Sequence, residues 1–307
     1  MTHSSIQRAV WSFWSKPFQT GRKFSWFSEK HHLLSWVLSF ERARQHYPET
    51  VLITDDDGVR MLVDGLGLEF GTVSTELNAL QSQDPEWWVS GKLYAYRAQT
   101  QPFVHLDSDV FLWKALPERV TAAPVFAQNP EYFDFSDGNG CYQPEAYKIA
   151  IESTQGWLPE EFNWYLSTRR NQVICCGILG GNHVDFIRHY ADTAIQMIEH
   201  PRNQQAMSLL QRKSLDSFMV EQYLLAACVF YHQDWEPPVY RDVYINCLFN
   251  SLEGAFREAK DVGFTHLLGG SKRNPRLANK LERRVAKDYP DRYQRCLNYL
   301  DQVTHAA

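Results

Sequence analysis

Two segments of this 307-residue chain carry residue types suited to binding cations and phosphates. The first is Phe103-Val104-His105-Leu106-Asp107-Ser108-Asp109-Val110-Phe111-Leu112. Two carboxylates sit two residues apart between apolar runs. Carboxylates at the exit of a buried strand must be solvated, paired or bound to a cation. A hard divalent cation takes oxygen ligands and keeps positions for water and phosphate. Asp107 and Asp109 are therefore candidates to hold Mg²⁺ or Mn²⁺ against a nucleotide diphosphate; a solvated turn is the competing use. The second segment is His266-Leu267-Leu268-Gly269-Gly270-Ser271-Lys272. Its imidazole can complete a metal shell. Gly269 and Gly270 let backbone approach a phosphate, and Lys272 offers the diphosphate a cation.

Together, Asp107-Ser108-Asp109 and His266…Gly269…Lys272 resemble the D-x-D and late H-x-x-G-x-x-K of nucleotide-sugar glycosyltransferases of the GT-A fold. The likeness is greatest to retaining enzymes such as glycosyltransferase family 8. Arg273-Asn274 stands where that family carries an aromatic tail. The resemblance implies a Rossmann-like α/β domain with a central, mostly parallel sheet flanked by helices and a helical C-terminus. It implies transfer of a sugar from a nucleotide-sugar, a UDP-sugar by expectation, to an acceptor hydroxyl with retention. Asp107, Asp109 and His266 would hold the metal, and Ser108, Gly269 and Lys272 would meet the donor. Cys176-Gly177-Ile178-Leu179-Gly180-Gly181 resembles the small-residue strand beneath the sugar, so Gly177 and Gly180 join the donor set; tight strand–helix packing competes. Glu221 and Gln222 resemble the acidic–polar pair beside the reacting carbon, against a plain helix surface. Lys92 matches a basic donor-binding position, against a solvated lysine.

These residues need elements to place them. Short apolar runs alternate with helical patterns, which predicts an α/β fold. Ala9–Trp14, Val51–Thr54, Pro102–Leu106, Val173–Leu179 and Phe264–Leu268 read as strands. Helices are expected from the Ser28 cap to Tyr47, from Val59 to Gly65 or Gly67, and over Trp87–Gln99, Val184–Glu199, Leu215–Tyr231 and Arg276–Lys287. Gln128–Tyr142 reads as a long loop able to bind an acceptor. Asp55, Asp56 and Asp57 end the second strand, an edge where open α/β sheets bind nucleotides; a turn competes. Trp11, Phe13 and Trp14 can wall a uracil pocket or pack the core. The expectation is one domain over 1–307, with a nucleotide-binding half to about 127 and an acceptor half from about 128.

Composition narrows the class. Lys and Arg total 31 against 36 Asp and Glu, a net charge of −5, so nothing favours nucleic acid. Hydrophobic residues at 44% and charged residues at 22% exclude a disordered chain. No apolar run reaches the ~20 residues of a membrane span, and Met1 to Val10 lacks a secretory pattern. Six Cys without metal-type spacing suit a reducing compartment, so a cytoplasmic location is expected. Lys272 to Arg295 is basic, a solvated face or a contact for an anionic acceptor or lipid headgroup. A nucleotidyltransferase and a non-catalytic nucleotide- or carbohydrate-binding protein are the alternatives. The former would open with a glycine-rich basic loop, where Trp14-Ser15-Lys16-Pro17-Phe18 stands.

Overall fold

The computed structural model describes residues 6–21, 25–234, 240 and 242–306. Its strands among these residues are β1 (Arg8–Phe13), β2 (Glu49–Thr54), β3 (Thr72–Ser74), β4 (Phe103–Leu106), β5 (Val110–Leu112), β6 (Val125–Tyr132), β7 (Gln172–Gly181), β8 (Ile245–Cys247) and β9 (Phe264–His266). The fold is α/β, and the chain divides into two compact units interleaved along the sequence. The D-x-D unit comprises Gln7–Pro85, Leu106–Leu116 and Ala259–Ala307; the insert unit comprises Ile6, Glu86–His105 and Pro117–Glu258. The division does not fall at residue 127.

In the D-x-D unit, β1, β2 and β3 run parallel in the order β3-β2-β1. The β-branched run of β2 is buried from Thr50 to Thr54, as a parallel strand covered on both faces must be. Helix Glu29–Ala43 turns Leu33, Trp36, Val37 and Phe40 inward. It ends at Ala43, short of the expected Tyr47, and residues 44–46 continue only as turns. Ser28 is its extended cap residue but spends its hydroxyl on His31 Nδ1, 2.7 Å away. Val59–Gly65 is a wide π-type turn, not a regular helix. Helices Pro275–Asp288 and Pro290–Ala306 follow β9.

In the insert unit, β6 pairs with β7 antiparallel and with β8 parallel. Every residue of β7 after Gln172 is buried, which its near-continuous apolar run anticipates. β6 overturns part of the expected loop: Gln128 and Asn129 lie inside the strand at 1% and 0% exposure. A period-2 reading missed it because Gln128, Asn129 and Pro130 look like turn residues. Leu215–Tyr231 is divided, with a π-type turn at Met219–Tyr223 between helices Lys213–Phe218 and Leu224–Asp234. None of the six cysteines is in a disulfide. Among the described residues no helix is long and apolar enough to cross a membrane.

Candidate metal and phosphate site

Asp107-Ser108-Asp109 forms the tight connection between β4 and β5, closed by Val110 N donating to Asp107 O at 3.0 Å. β5 pairs antiparallel with β9, setting Val110 opposite His266. Leu267 N donates to Asp109 O at 3.0 Å, and Trp113 Nε1 ties the far end to Thr265 Oγ1 at 3.0 Å. Gly263 takes a φ of +75° just before β9, a turn that favours glycine. This short ribbon joins segments about 150 residues apart in sequence and carries the imidazole to the carboxylates.

One ligand atom each of Asp107, Asp109 and His266 lies within 4.8 Å of the others. Two carboxylates and an imidazole suit a divalent ion of the Mn²⁺ or Mg²⁺ class. Lys272 Nζ is 2.5 Å from Asp109 Oδ2, and His266 Nε2 is 3.4 Å from Oδ1. Burial opposes ionisation of Asp109, but the Lys272 ammonium and then the His266 imidazole outweigh it and hold the carboxyl well below the usual range. Lys272 is itself positioned: its carbonyl accepts from Phe27 N at 3.0 Å, and Nζ stands 5.5 Å above the Trp26 ring. Ser108 is half-buried in the same turn.

Gly269 has a φ of +46°, so the residue type is required by conformation. A Cβ at Gly269 or Gly270 would meet nothing within 4 Å, so open space, not close backbone approach, surrounds both.

Three expected nucleotide contacts have other work. Trp11 is fully buried and donates from Nε1 to Ser39 Oγ at 3.0 Å. Ser39 Oγ donates to Asp107 O at 3.3 Å, so Trp11 braces the carboxylate turn from the core. Phe13 packs edge-on to Trp36 at 5.4 Å instead of walling a pocket. Asp55 accepts from Ser15 N, Ser15 Oγ and Gly58 N, each at 2.8 Å, so its carboxylate is a loop clasp and helix cap. Beside that clasp is a cavity of about 500 Å³ at the ends of β1 and β2, lined by Trp14, Lys16, Asp56, Arg60 and Asn78. Of this lining, which also includes Asp55 and Asp57, the sequence pointed to Trp14 and Asp55 to Asp57 but not to Lys16, Arg60 and Asn78, which come from separate turns.

The insert unit gathers a second group. Lys92 Nζ lies 2.5 Å from Glu221 Oε1 and donates to Cys176 O at 3.0 Å. Glu221 is 1% and Lys92 9% exposed, so neither is a solvated helix residue. The π-type turn at Met219–Tyr223 aims Glu221 inward, and Tyr190 Oη donates to its carbonyl at 2.8 Å. Gln222 Oε1 accepts from Tyr142 Oη at 2.6 Å, and that hydroxyl lies 3.1 Å from Glu131 Oε2. Gly177 is buried within β7. Gly180 is required by packing: a Cβ there would lie 2.1 Å from Phe103 O and 2.7 Å from the Phe126 ring. That crowding accounts for Gly180 without a sugar.

The basic C-terminal stretch is partly consumed internally. Arg292 pairs with Glu41 at 3.1 Å and Glu69 at 2.9 Å. Arg276, Lys280 and Lys287 are exposed on the solvated face.

Comparison with curated proteins finds no match. The family model of DUF6734, a family of unknown function, matches residues 7–299, and the chain belongs to that family.

Proposed function

We propose that this protein is a metal-dependent transferase of the GT-A kind that moves a sugar from a nucleoside diphosphate, a UDP-sugar by resemblance, to an acceptor hydroxyl with retention. One observation carries the reading: Asp107, Asp109 and His266 converge within 4.8 Å, with Lys272 against Asp109. A divalent ion held there would supply charge neutralisation for the leaving diphosphate. Asp107 and Asp109 would hold it from a turn clamped by Ser39, and His266 from a strand fixed in register. Lys272 would move its ammonium from Asp109 toward the diphosphate as the donor binds. Such preorganised charge is often the largest catalytic contribution; losing one such group costs about 3 kcal/mol. The cavity between Lys16, Asp56 and Asn78 has the polar lining a nucleoside requires. By the resemblance alone, Glu221 and Gln222 are the groups proposed to act on the transferred sugar; within the insert unit Lys92 holds Glu221 and Tyr142 holds Gln222.

The test is to incubate purified protein with a panel of UDP-sugars and Mn²⁺ and to measure released UDP. Turnover that chelator abolishes and Asp109→Asn removes is the expected result. UDP binding that is equally tight with and without Mn²⁺, seen by calorimetry, refutes the metal-bridge assignment. Release of pyrophosphate from a nucleoside triphosphate and sugar phosphate would identify a nucleotidyltransferase instead.

A further inference from the structure

A separate set of ligating side chains lies in the insert unit, on three helices that the donor reading does not use. Glu161 stands in the first turn of Glu160–Ser167, and His189 in Val184–Glu199. Cys228 and His232 are both on Leu224–Asp234, four residues apart and so on one helix face. One ligand atom each of Glu161, His189 and Cys228 lies within 4.8 Å of the others. Glu161 Oε1 is 2.8 Å from His189 Nε2 and 3.7 Å from His232 Nε2. The His232 side chain is 4% exposed, and its Nε2 has no hydrogen-bond partner among the described residues. A buried imidazole nitrogen in that state costs free energy, and this one faces the same carboxylate oxygen. A cavity of about 730 Å³ reaches Glu161 and His189 and is lined also by Glu160, Asp185, Asp192 and Tyr240. Its carboxylates favour entry of a cation, and its volume leaves room for water.

We propose that Glu161, His189 and Cys228, with His232 beside them, form a binding site for a divalent transition metal of the Zn²⁺ class. The set mixes oxygen, nitrogen and sulfur donors, which suits a borderline-soft ion and contrasts with the harder set at Asp107 and Asp109. Bond lengths of ~2.0–2.3 Å in a tetrahedral shell place ligand atoms about 3.4–3.8 Å apart. The Glu161–His232 separation already falls in that range, and Glu161 and His189 need to part by about 0.6–1.0 Å. Because the ligands come from three helices, a bound ion would cross-link them. The site stands independently of the transferase reading.

The test loads chelator-stripped protein with Co²⁺ and, separately, titrates it with Zn²⁺ against a chromophoric chelator. The parent protein should show an intense near-ultraviolet thiolate-to-cobalt band. Cys228→Ser should abolish the band, and both Cys228→Ser and Glu161→Gln should weaken Zn²⁺ binding at least tenfold. Asp109→Asn should keep both signals, which separates this site from the D-x-D site. Absence of the band in the folded parent overturns the proposal whatever the variants do. So does a band that survives Cys228→Ser, or Zn²⁺ affinity unchanged in Glu161→Gln.

Discussion

Replacing Lys272 by alanine leaves Asp109 without its ammonium partner at 2.5 Å. The Asp109 side chain is 4% exposed and that of Lys272 21%, so the pair is largely removed from water. Taking one partner from a buried ion pair costs ~3–5 kcal/mol. The partial exposure of Lys272 places this case at the lower end, about 3 kcal/mol. At ~2–4 °C per kcal/mol for a chain of this size, the melting temperature should fall by about 6 °C or more. Mn²⁺ should recover more of that loss in Lys272→Ala than it adds to the parent, because a cation then takes over the neutralisation of Asp109. Binding should separate as well. UDP should weaken by about tenfold or more, the worth of a charge-assisted hydrogen bond, while uridine changes little. Thermal melts with and without Mn²⁺, paired with calorimetry of UDP and uridine, read all of this. Equal losses for the two ligands, or a melting temperature within about 1 °C of the parent, would refute the reasoning.

Glu221→Gln keeps the shape beside Lys92 and removes the charge. Turnover should fall by ~10²-fold with UDP affinity retained; a melting curve must show the variant folded, and unchanged turnover removes Glu221 from the reaction. Gly180→Ala drives a methyl into the Phe103 carbonyl, which cannot swing away, whereas Gly269→Ala meets open space and only a positive φ. The first should cost at least ~2–3 kcal/mol and the second ~1 kcal/mol, read from urea midpoints; the reverse order contradicts the packing described. Burial raises the Asp216 carboxyl to about 6, against an opposing pull from Arg212. A folded value above the unfolded 3.8 means stability is greatest below that value and declines as pH rises through about 6. Asp216→Asn should therefore gain on the parent by about 1 kcal/mol, after solvent screening, between pH 4 and pH 8; a constant difference across that range rejects the assignment.

Which short segments carry chemistry is written in the local pattern of residue types. Asp107 and Asp109 were legible because two carboxylates interrupt an apolar strand, and a strand end is a local property. The apolar runs of β2 and β7 and the amphipathic period of Val184–Glu199 were legible for the same reason: periodicity is written within a few turns of chain. The partnership of His266 with that turn was legible only through the resemblance; the means was not, because His266 reaches Asp109 through the β5–β9 pairing and a ladder between distant segments leaves no local trace. Trp11 serves the site only through Ser39, a relay that exists once β1 and helix Glu29–Ala43 pack. For Lys92 and Glu221 a donor-site role and a helix surface competed; their mutual pairing is a product of tertiary packing, and the π-type turn at Met219–Tyr223 shifts the face that a 3.6-residue period assigns to Glu221. Glu161, His189, Cys228 and His232 were passed over because three helices contribute them, and only tertiary packing makes neighbours of side chains with no common spacing.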